Sequence, residues 1–167
     1  ILNGSKIFIT NGMLADVVIV AAITDPGKGA KGTSLFIVDA TLPGFARGKK
    51  TEKMGQHTSD TAELFFQDVR LPASALLGEL NKGCVIMMTE LPRERLGIAA
   101  QAVAAAEGAL DITVAYVLER KAFGQTVASF QNTRFTLAEV KTEIAVNRAF
   151  YEKCADAYAM DSLTAED

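Results

Sequence analysis

Two hydrophobic rhythms divide the chain. Over the first seventy residues, short apolar runs of β-branched and aromatic residues alternate with turn residues. Lys6–Thr10 (KIFIT) ends at Asn11-Gly12, a pair that favours a tight turn. Asp16–Ile23 (DVVIVAAI) leads into TDPGKGAKG, which predicts a flexible loop. Thr33–Asp39 (TSLFIVD) is the next predicted strand and LPGF at 42–45 the next turn. Thr61–Val69 (TAELFFQDV) is a further strand before Pro72 closes the region. Short strands with regular turn signals predict a small antiparallel β-barrel or sandwich.

From about Asn81 the period becomes helical. Asn81 is a good N-cap residue, and Gly83 to Arg120 carries no strong break except Pro92. Unbroken, that stretch measures roughly 55 Å at ~1.5 Å per residue. KAFGQTVAS links it to a second predicted helix, where Leu137, Val140, Ile144, Tyr151, Cys154 and Tyr158 recur at three-, four- or seven-residue steps. Two long helices joined by a short link should pack antiparallel. The first is apolar nearly all round, so it calls for more helices than one partner. The predicted class is α+β, with a β region over 1–80 and a helical region over 81–167.

Composition narrows the function. Of 167 residues 49% are hydrophobic and the net charge is −3, with no block of Lys or Arg. That argues against nucleic acid or an anionic membrane as partner. No charge-free apolar run reaches ~18–20 residues, so no membrane span is predicted. Cys84 and Cys154 lack metal-ligand spacing and are expected as thiols in a reducing compartment. His57 is the one histidine, which argues against a zinc site or a Ser-His-Asp triad. A chain opening on Ile1 is expected to be part of a longer product.

Candidate chemistry concentrates at TELPRERLG, residues 89–97. Pro92 has no N–H to give the Met88 carbonyl, so a bend is expected there rather than a new helix capped by Leu91. Glu90 and Glu94 stand one turn apart, and Ile98, Ala102 and Ala105 continue their face. A carboxylate at the head of such an apolar slot would be desolvated beside a like charge. Both effects raise its pKa towards general-base strength. Arg95 points about 100° away, towards a different partner such as a phosphate or a structural acid. Glu90, Arg93, Glu94 and Arg95 could equally be a solvated patch, and periodicity leaves both readings open. His57 and Asp60 are expected to order their loop, with Asp60 a turn or cap former.

Four motifs carry a resemblance. LNGSKIFITNG (2–12), KMGQHTSDTAELFFQDVRLP (53–72), LPRERLGIA (91–99) and ERKAFGQTVASFQ (119–131) together resemble the acyl-CoA dehydrogenase family, most closely its long-chain type. The resemblance implies a middle β-domain over 1–80, followed over 81–167 by the first two helices of a four-helix C-terminal domain. It implies FAD, with Phe8, Ile9 and Thr10 on the flavin strand, Thr10 bonding the ring and Phe8 packing on it. Many members have Trp where Phe8 stands. Arg120, Phe123 and Gln131 match residues holding the diphosphate and adenosine of a flavin bound mainly by a neighbouring subunit. Pro92, Arg93, Glu94 and Arg95 match the substrate-contacting stretch, and Glu94 falls where long-chain and isovaleryl types place the catalytic base.

The implied reaction is α,β-dehydrogenation of a fatty acyl-CoA in β-oxidation, feeding an electron-transferring flavoprotein. The resemblance also implies a homo-oligomer (dimer or tetramer) in a bacterial cytoplasm or a mitochondrial matrix. A related oxidase, or a purely structural and oligomerisation role for these residues alone, are the alternatives.

Overall fold

The computed structural model describes residues 1–163. In order come β1 (Leu2–Thr10), β2 (Val17–Ile23), β3 (Thr33–Asp39), β4 (Phe45–Lys50), β5 (Thr61–Val69) and β6 (Leu76–Leu77). Then follow α1 (Gly83–Glu119), a hairpin of β7 (Lys121–Ala122) and β8 (Gln125–Thr126), and α2 (Gln131–Ala159). The chain divides into two compact units, Ile1–Met87 and the part from Met88 onward.

In the first unit β1-β5-β4 form one antiparallel sheet and β2-β3-β6 another. Strand alternation sends Val20, Val38, Leu64 and Phe66 into one core, and a bulge at the end of β5 adds Val69 opposite Leu2. Phe45 meets Phe66 edge-on at 5.5 Å between ring centroids. Burial is worth about 1.5–3 kcal/mol for each large apolar side chain, so this cluster holds the sheets together. The α+β class and antiparallel sandwich follow the sequence.

Three local features depart from it. The loop after β2 is a 3₁₀ segment, Pro26–Gly32, whose Gly27 N–H bonds the Asp25 carboxylate at its start. β4 follows the LPGF turn with the sequence FARGKK, whose one large apolar residue gives no strand signal; pairing with β5 makes it a strand. Asn81 is not the helix cap. It is left-handed (φ 62°), its N–H donates to the Ser34 hydroxyl at 2.7 Å, and its Oδ1 accepts from Thr24 at 2.6 Å. The Lys82 carbonyl instead accepts the first helical bond, from Ile86. Ser34, fully buried, and Gly83 lie so close that a Cβ on Gly83 would sit 2.9–3.0 Å from the β3 backbone.

In the second unit α1 runs through Pro92 as one helix, as the poor cap at Leu91 predicts. α2 packs antiparallel to it: Pro92 and Arg95 share a cavity wall with Tyr151 and Cys154, and Ala102 and Thr113 line a groove with Asn147 and Thr136. Glu107 and Arg148 join the helices through a two-pronged ion pair. Leu137, Ile144, Tyr151 and Cys154 are half-buried along the predicted stripe. Much of α1 is uncovered, with Ile98 70% and Ile112 74% exposed. An 18-residue window of α1 reaches a mean hydropathy of 1.3, long and apolar enough for a membrane span by length and composition. The sequence predicted no such span, because its criterion was freedom from charge. A helix meant for several helical neighbours meets the same measure.

Candidate functional site

β1 is irregular where the flavin strand is expected. Lys6 pairs with Leu64 and Ile9 with Ala62, so three steps on β1 match two on β5. The extra residue is a β-bulge at Ile7–Phe8. Phe8 takes a left-handed φ of 59°, a genuine outlier for a bulky side chain, and its ring is 67% exposed. Thr10, also exposed, closes the strand opposite Thr61. Ile9 is half-buried and packs against the sandwich core. The sequence thus supplies the aromatic and hydroxyl side chains, and the bulge turns the aromatic one outward.

The second group lies at the far end of α1. Arg120 is exposed there, and its carbonyl accepts from the Val127 N–H at 2.8 Å. Lys121 and Ala122 pair with Thr126 and Gln125, leaving Phe123-Gly124 as a two-residue turn with φ of 53° and 81°. Positive φ at both corners is the hairpin turn that normally takes Asn or Gly first. Phe123 is 96% exposed, its ring edge-on to Phe130 at 6.4 Å between centroids. Gln131, exposed, opens α2 directly after Phe130. Arg120, Phe123 and Gln131 are therefore brought to one end of the helical unit.

In the first unit, an exposed aromatic ring on costly backbone two residues from a hydroxyl suits stacking on and hydrogen bonding to a planar ring system. In the second, taken by itself, an exposed guanidinium near an exposed aromatic ring suits a diphosphate and its adenosine. In that chemical sense the residues fit a flavin dinucleotide.

Around Pro92 the picture differs from the sequence expectation. Pro92 is buried, whereas Arg93, Glu94 and Arg95 are exposed. Glu90 bonds Arg93 at 2.9 Å. Arg95 borders the cavity of about 310 Å³ between the helices, with Leu96, Ala99 and Phe150. The expected desolvation of Glu94 is not present. Ala105, which continues its face, is also exposed, and Ala102 stays exposed at the edge of the groove with α2, because α2 covers the side formed by Pro92, Leu96, Ala99 and Val103. Burial of that carboxylate needs a further layer over this face.

Sequence reasoning missed Arg47. Its guanidinium donates to the Gly12 carbonyl at 3.1 Å and the Ala15 carbonyl at 2.7 Å, on the turn that follows β1. No local motif marks it, since it comes from a strand with no apolar pattern. Asp60 is the turn former its sequence suggests: its Oδ1 accepts from Met13 N–H at 2.9 Å and its carbonyl from Asn11 N–H at 3.0 Å. His57, exposed, bonds the Lys53 carbonyl at 2.9 Å within its loop.

Comparison with known proteins gives these arrangements a lineage. "Acyl-CoA dehydrogenase, C-terminal domain" matches residues 81–166, and "Acyl-CoA dehydrogenase, middle domain" matches residues 1–69. The mitochondrial long-chain specific acyl-CoA dehydrogenase of Rattus norvegicus is 57% identical over 156 residues, covering 92% of this chain and 36% of that protein. The short-chain specific acyl-CoA dehydrogenase of Megasphaera elsdenii is 50% identical over 154 residues, covering 92% and 40%. The crystal structure of an acyl-CoA dehydrogenase from Geobacillus kaustophilus matches with a TM-score of 0.92 and 47% identity, over 96% of this chain and 43% of that one. The chain spans 36–40% of the length of these curated relatives. Two domain matches in order, over nearly every residue, leave one conclusion: the chain belongs to the acyl-CoA dehydrogenase family.

Proposed function

We propose that the complete protein is an FAD-dependent acyl-CoA dehydrogenase that converts a fatty acyl-CoA to its trans-2-enoyl-CoA. The observation carrying this reading is a pair of strained, outward-facing phenylalanines, Phe8 and Phe123, at two positions that the resemblance assigns to the flavin. Residues 1–80 act as the middle β-domain, with Phe8, Ile9 and Thr10 against the flavin ring. Residues 81–167 begin the helical domain, where Arg120, Phe123 and Gln131 hold the diphosphate and adenosine end of a flavin in a homo-oligomer. Bound FAD supplies the acceptor for the β-hydrogen, taken as hydride.

Glu94 removes the α-proton. Among the described residues it makes no ion pair, whereas Glu90, the rival one turn away, is engaged by Arg93. An exposed carboxylate is too weak a base for an α-C–H, so its strength depends on being covered in the complete protein. Arg93 and Arg95 contact the substrate around it, while Pro92, buried on the side towards α2, shapes the helix that presents them. An electron-transferring flavoprotein collects the electrons. The compartment is the cytoplasm in a bacterium or the mitochondrial matrix in a eukaryote. The 167 residues alone, with under half of a relative's length, bind FAD weakly at most and do not turn over. In that form they serve as a structural module.

Glu94→Gln and Glu90→Gln in the complete enzyme test the assignment. General-base removal costs roughly 10²–10⁴-fold in rate, and that loss is expected for E94Q alone, measured as acyl-CoA-dependent dye reduction. Loss confined to E90Q would transfer the role to Glu90.

A further inference from the structure

We propose that Arg47 and Asp60 are positioning residues: together they lock the turn after β1 and so hold the bulge from which Phe8 projects. The link to flavin rests on the function proposed above; the clamp does not. A bulge with a left-handed phenylalanine is not what β1 would adopt if left to itself. Sliding β1 one residue along β5 would absorb the extra residue and restore regular pairing. It would also send each displaced side chain to the opposite face.

Both ends of the irregular segment are anchored against that slide. Before the bulge, Lys6 pairs with Leu64, and its Nζ reaches the Ala21 carbonyl on β2 at 3.0 Å. After it only Ile9 and Thr10 intervene before the turn. There Asp60, the residue preceding β5, takes the Asn11 and Met13 N–H groups through its carbonyl and its Oδ1. Arg47, on β4 and itself opposite Leu64, takes the Gly12 and Ala15 carbonyls. The Asp60 anchor thus sits at the start of β5, the strand along which β1 would have to slide, and the Arg47 anchor on β4, the other neighbour of β5. Asp60 is only 4% exposed, so its bonds to the turn are sheltered from water and correspondingly hard to replace. Arg47 also lies over the Phe45 ring, 5.4 Å from its centroid, which limits where its guanidinium can go.

The test uses nuclear magnetic resonance on the 167-residue chain, reading the Phe8 Cα and Cβ shifts, which report its backbone conformation, and the exchange rate of the Met13 amide. Arg47→Met and Asp60→Ala are expected to move Phe8 from left-handed towards extended values and to speed Met13 exchange by about tenfold. Arg47→Lys and Asp60→Asn, which restore a donor and an acceptor, are expected to recover most of both signals. General destabilisation would not give that pattern of rescue. Unchanged Phe8 shifts and Met13 exchange in R47M would overturn the proposal. Should D60A fail to fold, the exposed Arg47 still decides through R47M against R47K. FAD affinity of the complete enzyme carrying R47M separates the two layers: a shifted Phe8 with unaltered affinity keeps the clamp and removes Phe8 from the cofactor site.

Discussion

Phenylalanine at position 123 occupies the turn corner where asparagine or glycine costs least, and it hides almost none of its ring. Left-handed backbone costs a residue with a Cβ about 1–2 kcal/mol, and the edge contact with Phe130 returns about 0.5–1.5 kcal/mol. Phe123→Asn is therefore expected to leave the melting temperature of the chain unchanged or slightly raised. A drop of several degrees would show that the ring is structural and its exposure incidental. Position 94 teaches a related lesson. The four-residue spacing from Glu90 put Glu94 on one helix face with Ile98 and Ala102, and the helix bears this out. Its surroundings were not legible, because whether a carboxylate is dry depends on what covers it, and spacing along one helix says nothing of that.

Glu107 and Arg148 tie α1 to α2 by an ion pair. The guanidinium hydrogen bonds, outweighing partial desolvation, hold the Glu107 carboxyl below its ordinary range. A carboxyl depressed in the folded state stabilises the fold at and above the ordinary glutamate range. That contribution fades as acid protonates it. Thermal melts against pH should show this loss in the parent chain and a flatter acid limb in Glu107→Gln; parallel curves would show that the pair contributes nothing. Exposed pairs are weak, so the effect lies in the slope rather than in a large shift. Legibility at this level followed packing. TSLFIVD named β3 to the residue because its apolar side chains are read from the chain itself. FARGKK did not name β4, which exists because β5 offers it backbone partners, and Asn81 passed for a helix cap because its real partners, Ser34 and Thr24, lie far away in sequence.

For the molecule as a whole, the uncovered apolar side chains of α1 set the expected behaviour in solution. Ile98, Ile112, Tyr116 and Leu118 exceed what a single chain leaves open without consequence. The 167-residue protein should self-associate on sedimentation, and Ile112→Glu should shift it towards smaller species while leaving its helical circular dichroism intact. A parent chain that stays monomeric at all concentrations would sink that expectation. The boundary between domains of the family type also carries a practical meaning. Asn81 and Gly83 are tied into β3 by a hydroxyl bond and by backbone contact too close for a methyl group, and the compact first unit runs on to Met87. Chimeras that exchange the helical half between relatives should therefore be spliced inside the helix after Met87. A cut directly after Pro72 would replace the whole β6 and Gly83 region and put any larger residue at 83 onto a seat shaped for hydrogen alone.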